Sequence, residues 1–125
     1  MLATAKLMAF AATRDAARAK TFYAEMLGLR LVADEPYAVV FDANGTMLRV
    51  QKVKDLPRAE FTVLGWEVPD IRAAMATLTG RGVHFEKYEF LGPDTDGVWT
   101  APDGTLVAWF KDPDGNTLSL TEFKR

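Results

Sequence analysis

The chain has 125 residues, 49% hydrophobic and 26% charged, a balance that suits one globular domain and leaves ample material for a core. A net charge of −2, with Lys and Arg scattered among acids, gives no electrostatic reason to bind nucleic acid or an anionic membrane. No cysteine is present, which excludes disulfides, thiolate metal ligands and cysteine nucleophiles.

Residues 7–13 are apolar and β-compatible, so a first strand is expected there. The run after Lys6 is short for a secretion signal and is interrupted by Arg14-Asp15; no apolar stretch approaches a membrane span, and a cytoplasmic location is expected. Asp15 offers a helix N-cap. The helical spacing of Ala19, Phe22, Tyr23, Met26 and Leu27 carries the helix to Gly28, which closes it in a left-handed conformation. Strands are expected next over 29–33, 37–42 and 46–53, the last two joined around Asn44-Gly45, a strong hairpin signal.

The pattern then returns. A strand is expected over 62–68, and Asp70 caps a helix carrying Ile71, Ala74, Met75 and Leu78 that Gly82 ends. Residues 83–88 read as a strand, 91–97 as a loop rich in Gly, Pro and Asp, and 98–101, 106–111 and 117–123 as strands. Turns at Pro102-Asp103-Gly104 and Asp112-Pro113-Asp114-Gly115-Asn116 divide them; the second lacks the ligands of a calcium loop. Asp15 and Asp70 lie 55 positions apart, Gly28 and Gly82 54, and Gly45 and Gly115 70. Such spacing describes a duplication, in which each module has an apolar sheet face that its own helix cannot fully bury. The expected domain therefore spans 1–125, with modules at about 5–53 and 61–123 and a linker at about 54–60 around Pro57.

Arg14-Asp15 leading to Phe22-Tyr23 and Leu27-Gly28-Leu29, then Glu67-Val68-Pro69-Asp70-Ile71, then Phe110-Lys111-Asp112-Pro113-Asp114-Gly115-Asn116 before Leu118 form an ordered set. In these motifs the chain resembles the vicinal-oxygen-chelate superfamily of glyoxalases, bleomycin- and fosfomycin-resistance proteins and extradiol dioxygenases. The resemblance covers essentially the whole chain. It implies an α+β fold of two tandem β-α-β-β-β modules, a cup-shaped, incomplete mixed barrel with helices outside, a ligand cavity between the modules, and commonly a homodimer.

Metal-using members of that superfamily hold the ion with His, Gln or Glu from four strand positions. The resemblance carries these positions to Met8, Arg49, Val63 and Ser119. None is an imidazole or carboxylate, and Arg49 would repel a cation, so no metal and no cofactor are expected. Strand alternation adds neighbours on the same face: Phe10 and Ala12; Gly65 and Glu67; Met47 and Gln51; Thr117 and Thr121. The 70-residue offset pairs Trp109 with Val39 and Lys111 with Phe41, which places Val107, Trp109, Tyr37, Val39 and Phe41 on that lining as well. The expected pocket is apolar and rich in aromatics.

Arg49 has two readings. Its planar fork suits a ligand carboxylate, phosphate or enolate-like oxygen, or it is held in an ion pair, most simply with Glu67, or across the outer sheet face. Trp99 and Trp109 suit either stacking on a planar ligand or packing, whereas Trp66 has the parity of a core residue. Glu67 opposite Arg49 would suit proton abstraction beside a carbonyl. His84, the single histidine, has a general base's intrinsic pKa, yet no nucleophile–base–orienter set accompanies it. Three functions fit: a metal-independent protein that binds or sequesters a small apolar or aromatic, neutral or anionic molecule; a lyase, isomerase or dioxygenase-type enzyme of the same superfamily, working without metal or with one the motifs do not reveal; and an accessory dimeric interaction module.

Overall fold

In the computed structural model, which describes residues 1–91 and 96–124, each half of the duplication becomes a four-stranded mixed sheet with one helix. The chain divides into two compact units. The first comprises Met1–Arg58 together with the turn Pro113–Asn116; the second comprises Ala59–Asp112 and Thr117–Arg125. The class is α+β, and neither sheet closes on itself.

The first unit contains β1 (Met8–Thr13), α1 (Ala16–Lys20), β2 (Arg30–Asp34), β3 (Ala38–Ala43) and β4 (Thr46–Lys52), in the sheet order β1-β4-β3-β2. Strands β1 and β4 run parallel and the other pairs antiparallel. The Asp15 carboxylate accepts the backbone N–H of Arg18 at 3.2 Å, which satisfies a donor that the first helical turn leaves free. Beyond α1 the helix widens into a π turn at Thr21–Met26. It closes at Gly28, φ 79°, with the Leu29 N–H donating to the Tyr23 carbonyl at 2.9 Å. Asn44 (φ 52°) and Gly45 (φ 94°) make the left-handed pair that a two-residue hairpin requires.

Phe22 and Tyr23 of the helix and Phe41, Leu48, Val39 and Val50 of the sheet form the core of this unit, all buried. Phe22 meets Tyr23 edge to face at 5.1 Å, and Tyr23 meets Phe41 at 5.6 Å. The turn Pro113–Asn116 completes this unit through polar bonds. The Asp114 carboxylate accepts from the Thr13 hydroxyl at 2.5 Å and from the Arg14 N–H at 2.9 Å, and the Asn116 amide donates to the Ala12 carbonyl at 2.9 Å.

The second unit repeats the plan with β5 (Thr62–Glu67), α2 (Ile71–Gly80), β6 (Val98–Thr100), β7 (Leu106–Lys111) and β8 (Thr117–Glu122), in the order β5-β8-β7-β6. Asp70 caps α2 as Asp15 caps α1, accepting the Ala73 N–H at 3.1 Å. Ile71 of α2 and Leu118, Leu120, Ala108 and Phe110 of the sheet are buried, with Trp66 stacked on Phe110 at 6.4 Å and Phe85 tilted against it at 5.3 Å. Trp66 thus takes the core side that its parity indicates.

Two expectations are corrected. Residues 83–88 do not form a strand: they make one bridge, Phe85 to Phe110, and one bond, from the Glu86 N–H to the Trp109 carbonyl. The stretch alternates like a strand but leaves the sheet edge after Glu86 and coils at Glu89–Leu91. The lining assigned to Val39 and Phe41 is also wrong. Cross-strand partners share a face, and Arg49 pairs with Val40 whereas Ser119 pairs with Trp109. The second hairpin holds one residue more between equivalent pairs, so Trp109 corresponds to Val40. One inserted residue reverses parity, and Val39 and Phe41 face α1. The expected loop at 91–97 falls largely outside the described residues.

Candidate functional site

Each sheet buries one face under its helix and leaves the other uncovered by that helix. In the first unit the register defines rows across that other face: Phe10, Arg49 and Val40 in one, and Met8, Met47, Asp42 and Arg30 in the next. Met8, Phe10 and Met47 are 43%, 46% and 42% exposed, a cluster of large apolar side chains not covered by their own unit's helix.

Arg49 lies among them in an ion pair, but its partner is Glu35, at 2.9 Å, rather than Glu67. The β2–β3 hairpin positions Glu35, whose N–H donates to the Ala38 carbonyl at 2.9 Å. The Coulomb attraction of this half-exposed pair is modest, yet the guanidinium is oriented along the sheet toward its own carboxylate. Tyr37 stands at the tip of the same hairpin, largely exposed, with its carbonyl accepting the Lys52 N–H. Farther along, hydrogen bonds from Lys20 and Lys52 hold the Asp34 carboxyl below the usual carboxylate range.

In the second unit the corresponding face carries Gly65, Ser119 and Trp109 in one row, and Glu67, Thr121, Val107 and Trp99 in the next. Val63 sits at a bulge, where the pairing of β5 skips from Thr62 to Leu64. Ser119 is buried, its hydroxyl lying where a Cβ on Gly65 would come within 2.9 Å. Three rings gather around Trp109. Tyr88 and Phe90 stack at 5.6 Å and each meets Trp109 edge-on, at 5.7 and 6.2 Å, while Trp99 lies 6.4 Å away. Phe90 is 68% and Trp99 37% exposed, so half of the cluster presents its rings outward. Burial, reinforced by the Glu86 carboxylate, raises the Tyr88 phenol above its ordinary pKa. Its hydroxyl therefore stays protonated through the neutral range.

Met8, Phe10, Met47 and Arg49 thus share one face of the first unit, and Ser119, Glu67 and Trp109 one face of the second, with Val63 at its bulged margin. The Phe41 ring packs on Tyr23 on the helix-covered side, although the residue still borders a groove at the hairpin end of the sheet. His84 is exposed in the segment after α2, one residue before the Phe85–Phe110 bridge, and Trp99 joins Trp109 rather than the core. Glu35, Tyr88 and Phe90 were missed. Glu35 belongs to a connection between strands, where alternation carries no signal, and Tyr88 lies past the point where its segment leaves the sheet edge; only the spacing of Tyr88 and Phe90 hinted at a shared side.

Met8, Arg49, Val63 and Ser119, the four positions that the sequence resemblance equates with metal-ligand positions, do not fit an ion. A thioether, a guanidinium held by Glu35, a bulged valine and a serine hydroxyl packed on Gly65 supply no adequate donor set. Among the described residues no group of three or more His, Cys, Asp or Glu side chains could hold a metal. None of the described helices is long and apolar enough to cross a membrane.

Solved structures with the same fold include a glyoxalase family protein from Bacillus anthracis (TM-score 0.75, 16% identity, covering 97% of this chain and 96% of that one). A lactoylglutathione lyase from Agrobacterium tumefaciens aligns with TM-score 0.72 and 19% identity over 95% and 93% of the two chains. A member of the glyoxalase/bleomycin resistance protein/dioxygenase superfamily from Sphaerobacter thermophilus reaches 28% identity with TM-score 0.70, over 94% and 97%. No curated protein sequence matches the chain. The family model for this superfamily matches residues 6–120, nearly the full length. The chain belongs to the Glyoxalase/Bleomycin resistance protein/Dioxygenase superfamily.

Proposed function

We propose that this protein binds a small planar, largely apolar molecule without a metal ion. The observation that carries this reading is the ring cluster of Tyr88, Phe90, Trp99 and Trp109 on the sheet face that also bears Ser119, with two of its rings outward. Aromatic side chains held by one another keep a fixed geometry, so a flat ligand can stack on them at little further entropic cost. The lack of imidazole and carboxylate donors at the four relevant positions supports metal independence. On the same reading the protein acts as a cytoplasmic homodimer, its oligomeric state being open to sedimentation analysis.

Titration of planar aromatic compounds against the intrinsic tryptophan fluorescence tests the proposal. Saturable quenching is expected, with binding weakened about tenfold in Trp99→Ala, the size of one lost stacking contact. Binding that ignores Trp99→Ala would refute the stacking site. Elemental analysis of the purified protein should find no stoichiometric transition metal; finding one would overturn metal independence.

A further inference from the structure

We propose a second ligand site in the first unit, a groove for a small amphiphile with one anionic head group, of which a medium-chain carboxylate is the simplest case. The groove has a volume of about 390 Å³ and lies at the hairpin end of the open sheet face. That is within the roughly 300–1,000 Å³ of small-molecule sites. Its walls are aliphatic and thioether groups from Leu7, Met8, Val32 and Met47. Val32 is the extra residue of a bulge, since the pairing of β2 skips from Leu31 to Ala33. Methionines are flexible and polarizable, and they suit a chain of variable shape better than a rigid ring.

The rim is charged, and its sum is positive. Lys6 and Arg30 stand against one carboxylate, Asp42. Asp42 is already engaged: one oxygen accepts the Gly45 N–H at 3.0 Å, and the other pairs with Arg30 at 3.5 Å. Arg30 has five N–H donors and its side chain is largely exposed, so this long contact leaves it able to bind an anion. Lys6 has no carboxylate partner among the described residues. Arg49, in the neighbouring row, is the poorer anion receptor because Glu35 already holds it. An anionic head at the rim with an aliphatic tail along the methionines matches both halves of the groove. A cationic amphiphile would meet the wrong charge, and a sugar would desolvate its hydroxyls against apolar walls.

The site shares no residue with the ring cluster, so its test is separable from that of the aromatic face. Calorimetric titration should show octanoate binding at least about tenfold more tightly than octylammonium, as expected when charge-assisted hydrogen bonds are exchanged for repulsion. Lys6→Glu and Arg30→Glu should each weaken octanoate about tenfold or more by the same logic, and Trp99→Ala should leave it unchanged. Lys6→Glu alone keeps the test valid if the loss of the Arg30–Asp42 pair disturbs the fold. Equal affinity for the two amphiphiles, no octanoate binding at millimolar concentration, or indifference to Lys6→Glu would each overturn the proposal. Loss of octanoate binding in Trp99→Ala with Lys6→Glu silent would place the amphiphile on the aromatic face instead.

Discussion

The two open sheet faces stand on the same scaffold and carry different chemistry. In the first unit the row that matters is Phe10–Arg49–Val40, flanked by methionines and cations; in the second it is Gly65–Ser119–Trp109, flanked by rings. The helix-covered faces diverged far less. Phe41 pairs with Leu48 in one sheet and Phe110 with Leu118 in the other, all four fully buried. Close packing explains the contrast: a buried position tolerates little change in volume or polarity, whereas an open face is free to vary with its ligand.

The largest effect expected from breaking this comparison is in the shared core. Phe41→Ala and Phe110→Ala should each cost about 3–5 kcal/mol of unfolding free energy in a denaturant titration, the usual result of emptying a buried aromatic site. A large difference between them would mean that the two cores are less equivalent than their register implies.

The turns sharpen the comparison at a smaller scale. Asp114→Ala removes the acceptor of the Thr13 hydroxyl and the Arg14 N–H and should cost about 1–3 kcal/mol. Gly45→Ala, in the first hairpin, has open space around its new Cβ but keeps φ at 94°, and should cost only about 1 kcal/mol. Thermal or chemical unfolding of the two variants side by side checks the order.

The smallest effect belongs to the ion pairs at the edge of the first sheet. Asp34 has its pKa lowered below 3.8 in the folded state by Lys20 and Lys52. Its stabilising contribution is therefore complete above the unfolded value and is lost as pH falls through the folded one. Asp34→Asn should be slightly less stable than the parent at neutral pH, and the gap should shrink once pH falls below the ordinary aspartate range and close only when pH has passed the lowered folded value, where the parent carboxylate is protonated as well. A gap that persists in acid would show that the asparagine disturbs packing rather than charge.

Much of the fold was legible because its signals are local. Asp15 and Asp70 each cap the helix that follows by accepting the N–H three residues ahead, Gly28 adopts the left-handed geometry of a helix end, and Asn44-Gly45 turns a hairpin. These depend on the conformational preferences of a few adjacent residues, which no distant contact had to supply. The expected strand at 83–88 failed for the complementary reason. Its alternation was sound, but strand formation needs a partner along its length, and β7 provides one only at Phe85 and Glu86.

The sequence by itself determined the duplication, the elements with strong caps and turns, and the residue types that make a metal site unsuitable. It also brought out Arg49, Met47, Trp109 and Ser119 as inward candidates, since period-two alternation holds within any one strand. Tertiary structure alone decided three further matters. It reversed the parity of β3 against β7 through one added turn residue, assigned Arg49 to Glu35, and gathered Tyr88, Phe90 and Trp99 around Trp109. Each depends on where one strand or connection comes to rest against another. That placement is set by the summed packing of the unit, and no short stretch of the chain encodes it.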